Sequence, residues 1–245
     1  MILRRLMLHV KEQNWFAVGL DFLIVVVGVF IGIQVSNWND VRRDRQAESI
    51  YLDRLGREIA EISPQAEASH ATVRERLERI VEVRNFFASA GGENALGGEH
   101  CAALGTSHIF AGTIFYPPTI KELIATGRIV LIRDDATRTA ILSFDQTNAE
   151  LSQLRTDIQI DRLPLARAHP ALIDSGLGSW EDAICDFEAM ARDQAFLNDF
   201  TDNMRRYGAY VTDVMGRQSE TLQSLDVAVA SGVAAHAMDE QEPVK

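Results

Sequence analysis

Cysteine is almost absent from this chain. There are two, Cys101 and Cys185, in 245 residues. Two thiols build no dense disulfide scaffold, and their spacing fits no standard zinc motif. Proline is scarce, at six, and aromatic residues make up only 7%. Alanine, leucine, arginine and glutamate dominate instead, which favours helix. Basic charge is in the minority, with 24 basic against 35 acidic side chains. Removing the three basic and one acidic residues of positions 1–14 leaves 21 against 34, a net of −13. Such an acidic remainder excludes nucleic acid as a partner. Lysine occurs only at Lys11, Lys121 and Lys245, an arginine bias usual in GC-rich bacterial genomes. The chain also lacks a nucleophile elbow, a phosphate loop, an HExxH helix and a dinucleotide fingerprint. No catalytic residue and no cofactor are therefore assigned.

One long hydrophobic run is present. Residues 15–38 read WFAVGLDFLIVVVGVFIGIQVSNW, and residues 22–33 are unbroken apolar sequence. Trp15 and Trp38 are 23 positions apart, or roughly 35 Å on a helix. That matches a bilayer core with a tryptophan anchor at each interface. Ten of the twelve residues 22–33 are Phe, Leu, Ile or Val, together worth roughly −3 to −6 kcal/mol of insertion energy. Asp21 would cost about 3 kcal/mol at the bilayer centre, and less near one face. A transmembrane helix is expected over 15–38, with the lipid bilayer as its surroundings. The following IQVSNWND offers no small-residue cleavage site, so the run reads as an uncleaved signal anchor. Residues 1–14 are expected to form a basic amphipathic segment, with Arg4, Arg5 and Lys11 opposite Ile2, Leu3, Leu6, Met7 and Val10.

The charges flanking the run disagree about orientation. Arg4, Arg5 and Lys11 precede it, while Arg42, Arg43, Arg45, Arg54 and Arg57 follow. The positive-inside rule is weak for long translocated domains. The early anchor and the single cysteine pair favour a domain outside the inner membrane of a bacterium, in an oxidising compartment where Cys101 and Cys185 form a disulfide.

Beyond the anchor, residues 39–235 are expected to be an all-α extracytoplasmic domain, an elongated bundle of about four main helices. Residues 236–245 read as a polar tail. Leu52, Leu55, Ile59, Ile62, Ala66, Val73, Leu77, Ile80 and Phe87 step mostly by three and four, one stripe of a long helix. Ser69, Arg76 and Arg84 interrupt the stripe, and Ser63-Pro64 predicts a kink. After a glycine-rich loop, Pro117 or Pro118 opens a short helix that Gly127 closes. Asp134 or Asp135 caps the next helix, with Ile141, Phe144, Leu151, Leu154 and Ile158 inside. Ser179 and Asp182 suggest a capping box that starts a short helix carrying Cys185, with Ile184, Phe187 and Met190 on its apolar face. A last long helix carries Leu197, Phe200, Met204, Tyr207, Val211, Met215, Leu222, Leu225 and Val229. His70, His169 and His236 read as surface residues.

VVVGVFIGIQVSNWND, followed by a charged helix, resembles an uncharacterised family of bacterial single-pass membrane proteins whose anchor ends in Asn-Trp-Asn, here Asn37, Trp38 and Asn39. TIKELIATGRIVLIRDDATRTAI is similar to that family's mid-domain segment. The family carries a domain of unknown function, so the resemblance implies location and architecture but no reaction.

Two constellations remain. Gly28, Gly32 and Ser36 are small residues at four-residue spacing, and Asp21 falls on much the same side. This pattern predicts a homodimer seam between membrane helices. His100, Cys101, His108 and Cys185 supply an alternative set of metal ligands. The leading functional expectation is a membrane-anchored helical interaction module, a sensor-like or scaffold domain of the cell envelope that binds an unidentified envelope protein or a small ligand. The alternative is a metal- or redox-linked envelope protein built on the cysteines and nearby histidines.

Overall fold

The computed structural model describes residues 15–89 and 95–241. The amphipathic segment expected over 1–14 and the end of the polar tail, 242–245, lie outside the described residues. The chain divides into two compact units, 1–50 and 51–245. One helix, α1 (Trp15–Ala88), contributes to both.

In the first unit α1 is long and apolar enough to cross a membrane, and no residue of its 18-residue apolar window is buried. Phe22, Val25, Val29, Phe30 and Ile33 all stand more than half exposed. Trp38 is 62% exposed.

The second unit is a helical bundle. It is built from α1, α2 (Gly98–Gly105), α3 (Pro118–Ala125), α4 (Asp135–Gln159), α5 (Leu165–Ala168), α6 (Phe187–Met190), α7 (Gln194–Ala209) and α8 (Arg217–Gln241). The expected stripe of α1 does pack inward: Leu52, Leu55, Ile59, Ala66, Val73 and Ile80 are buried. Pro64 lies inside α1 without ending it. The carbonyl it leaves without an intrahelical partner belongs to Ala60, an exposed residue. Asp134 is the residue that caps α4, accepting the Thr137 N–H at 2.7 Å. Gly127 closes the turn after α3 at φ +70°, in the left-handed region that costs glycine little. Helices α4 and α8 run antiparallel, because Thr137 Oγ1 donates to Ala228 O (3.0 Å) while Arg217 meets Glu150 (3.8 Å).

Four expectations need correction. The single core is two clusters. Val73, Ile80 and Val83 pack with Leu151, Phe196, Phe200, Tyr207 and Tyr210. Leu52, Leu55 and Ile59 pack with Ile141, Phe144, Leu222, Leu225 and Val229. The last long helix is interrupted by a π-helical segment, Tyr210–Gly216, between α7 and α8. The polar tail is shorter than expected, since α8 continues to Gln241 on alanine-rich sequence and buries His236. Ser179 and Asp182 do form a capping box, but over one 3₁₀ turn, Trp180–Asp182. The chain then becomes extended at Ala183, and Cys185 lies in a two-residue strand rather than on a helix. That strand, β2 (Ile184–Cys185), pairs antiparallel with β1 (Ile173–Asp174). Asp186 starts the next helical turn separately, by accepting the Ala189 N–H at 2.9 Å.

Candidate functional site

Cys101 on α2 and Cys185 on β2 are joined by a disulfide with Cα atoms 5.6 Å apart. This uses both thiols and removes the alternative metal set. His100 has no free ring nitrogen either. Its Nδ1 accepts the Gly97 N–H (3.0 Å), which leaves Nε2–H to donate to Glu82 (2.8 Å). His108 is instead half-buried beside Trp180, with ring centroids 6.3 Å apart, and burial lowers its pKa. Among the described residues no cluster of three or more His, Cys, Asp or Glu is arranged to hold a metal.

His169 is not a free surface residue. It pairs with Asp199 at 2.8 Å and packs edge-on against Phe196. Neither His100 nor His169 is hydrogen-bonded to a hydroxyl or thiol among the described residues, so no nucleophile–base pair is assembled there.

The segment that opens at Thr119 has a structural job. Thr119 of α3 donates its N–H and hydroxyl to Glu58 (2.9 and 2.6 Å), so a carboxylate on α1 caps α3. Arg54 Nε donates to Thr119 Oγ1 (2.6 Å) and also pairs with Glu122. Arg128 donates to the Tyr51 hydroxyl (2.7 Å), which donates to Glu122 (2.8 Å). The Arg54 bond holds the Glu122 carboxyl below its ordinary pKa. Every polar group of this clamp is occupied by another, so it docks α3 and offers a ligand little.

A different place is less satisfied. Residues 109–117 run without helix or strand partner, so their backbone groups need side-chain partners. Arg76 Nη1 donates to Ile109 O (3.3 Å), Arg155 Nη2 to Phe110 O (3.1 Å), and Asn148 Nδ2 to Phe115 O (3.0 Å). With its amide oxygen and nitrogen exchanged, which satisfies both atoms, Gln218 donates to Thr113 O (3.1 Å) and accepts the Phe115 N–H. Behind this segment, Tyr207 and Tyr210 are fully buried; among the described residues the Tyr210 hydroxyl has no hydrogen-bond partner, and that of Tyr207 is approached only by Arg76. Burial pushes the Tyr207 phenol up to about 12 and raises that of Tyr210. The Arg76 guanidinium lies over the Tyr207 ring, 5.8 Å from its centroid. Gly112 allows the close approach. A β-carbon there would collide with the Tyr210 hydroxyl and lie 2.9 Å from Met215 Sδ.

In front of the segment is a cleft of about 590 Å³. It is lined by Gly112, Thr113, Ile114, Ser152, Arg155, Thr156 and Gln159. The last four come from one face of α4, at helical spacing. Among the described residues neither Arg76 nor Arg155 has a carboxylate within 4 Å. Sequence reading did not find this cleft. Arg76, one of the three breaks in the apolar stripe of α1, holds Ile109 O at the start of the same segment without lining the cleft.

The residues expected to form the helix seam, Asp21, Gly28, Gly32 and Ser36, all lie on α1 and are exposed. A β-carbon at Gly28 or Gly32 would meet nothing within 4 Å. No family model, no curated protein and no solved structure matches this chain.

Proposed function

We propose that this protein is a single-pass, membrane-anchored recognition module of the bacterial cell envelope, with a helical domain on the outer side of the inner membrane acting as a sensor or scaffold. The observation that carries this reading is the bare apolar face of α1. An 18-residue window with none of its surface buried demands a nonaqueous partner, and lipid is the simplest one. The disulfide supports the orientation, because such bonds persist in oxidising compartments. The absence of an assembled nucleophile–base pair among the described residues favours binding over catalysis. The resemblance to single-pass membrane proteins with an Asn-Trp-Asn anchor agrees with the same reading.

Fusions test the topology. A C-terminal alkaline phosphatase fusion should be active, and a C-terminal green fluorescent protein fusion, exported by the same route, should be dark. The opposite pattern puts the domain in the cytoplasm and sinks the proposal.

The open faces of Gly28 and Gly32 support self-association of the span as a homodimer, with an envelope protein as a further partner. Close backbone approach is what small residues at four-residue spacing permit. Gly32→Ile should therefore remove most of the signal in a membrane two-hybrid assay of the isolated span. An unchanged signal, or none from the wild type, rules out this seam.

A further inference from the structure

We propose that the cleft between residues 112–114 and α4 binds a small hydroxylated carboxylate, with Arg155 as its anion anchor. Three observations converge. First, Arg155 is the only charged residue lining the cleft. It spends one N–H on Phe110 O and faces no carboxylate among the described residues. Its remaining N–H groups are therefore open to an external anion. A guanidinium presents several donors in a planar fork that suits a carboxylate.

Second, the hydroxyl protons that α4 presents to the cleft are already committed, while Thr113 lines the opposite side. Ser152 Oγ donates to Asn148 O (2.9 Å) and Thr156 Oγ1 to Ser152 O (3.0 Å). Their lone pairs remain and can only accept, so they call for hydroxyl donors on the ligand. Gln159 offers both a donor and an acceptor. A carboxylate at one end and hydroxyl groups along the rest is the ligand chemistry that satisfies this set. A bare carboxylate leaves the α4 hydroxyls unused, and a neutral polyol leaves Arg155 unpaired.

Third, the Tyr210 hydroxyl is buried and unpartnered immediately behind Gly112. A buried polar group without a partner is costly. Gly112 lines the cleft, and its lack of a side chain is what leaves room for that hydroxyl. The π-helical segment is what brings Tyr210 here, and such segments recur at functional sites. The site stands whichever side of the membrane the domain occupies, so its failure and a failed topology would be distinct results.

The test is calorimetric titration of the full-length protein in detergent micelles. D-gluconate is the probe, with D-glucose and acetate as controls. Gluconate should saturate, and both controls should bind at least about tenfold more weakly. Arg155→Gln should weaken gluconate by about tenfold or more and leave its preference over glucose lost. Thr156→Val lies on the exposed face of α4, where the fold should survive, and it should narrow the preference of gluconate over acetate. If Arg155→Gln lowers the melting temperature markedly, the Thr156→Val result decides alone. The proposal is overturned by any of four results: no saturation with gluconate, glucose binding as tightly as gluconate, a folded Arg155→Gln variant that binds like the wild type, or a Thr156→Val variant whose preference for gluconate over acetate is unchanged.

Discussion

Opening the Cys101–Cys185 bond should cost the domain about 4 kcal/mol. The two residues are 84 apart in sequence. Cross-linking a loop of that length removes roughly 4 to 5 kcal/mol of unfolded-state entropy on the chain-entropy model. The joined elements also share apolar packing, since Ala103, Leu104, Ile173 and Met190 lie in one core cluster, but few backbone bonds hold the hairpin itself. The β1–β2 pair is two residues long on each strand, and Ile184 is 70% exposed. Trp180 rests on α2, with a β-carbon at Gly105 lying only 3.2 Å from its ring. The disulfide thus fixes a hairpin that could not fold alone, since an isolated two-stranded hairpin is marginal in water. Urea unfolding of Cys101→Ser/Cys185→Ser against the wild type is the measurement, followed by helical circular dichroism. A midpoint shift equivalent to less than about 1 kcal/mol would show that the staple carries no such load.

Asn203→Ala should destabilise the domain by about 3 kcal/mol, although it removes only a small polar group. Asn203 is 1% exposed. Its amide donates to Leu163 O (2.7 Å) and Ser107 Oγ (3.1 Å), and its oxygen accepts the Leu163 N–H (3.3 Å). One side chain on α7 therefore ties down both the loop after α2 and the loop after α4. Truncation orphans three groups in a dry place, at about 1 to 3 kcal/mol for each group that water cannot reach. Asn203→Leu separates packing from polarity. It restores volume but satisfies none of the three groups, so it should be no better than alanine in thermal melting. A leucine variant as stable as the wild type would show that water already reaches the site.

What the sequence revealed divides along physical lines. Periodic burial was legible. Leu52, Leu55, Ile59 and Ile80 in α1 and Phe200, Tyr207 and Val229 near the C-terminus all lie inside, as their spacing required. Those positions obey a local geometry, 3.6 residues per turn, which a single sequence can display. The π segment was not legible. Tyr207, Val211 and Met215 are spaced by four, and that pattern looks the same whether the ladder between them is α or π. The hairpin was missed because two residues per strand cannot show alternation, and its position depends on a covalent bond from a distant helix. The cleft was missed for a related reason. Arg76, Gly112, Arg155 and Tyr210 come from four separate parts of the chain, and nothing local says that they meet. Arg76 interrupts the apolar stripe of α1, but so do Ser69 and Arg84, and nothing in the sequence sets it apart from them.

The π-helical segment also sets a rule about chain length. Tyr207, Tyr210 and Val214, at and before it, serve one core, while Leu222, Leu225 and Val229, beyond it, serve the other. The wider turn acts as a phase shifter between two faces that an unbroken α-helix would present at the wrong angle. Closing the α ladder with every residue kept would rotate everything beyond it by about 100°. Leu222, Leu225 and Val229 would then swing away from Ile141 and Phe144. Deleting one exposed residue there, such as Thr212, would instead let the α ladder close with both cores still in phase, so the wide turn absorbs one residue that neither core needs.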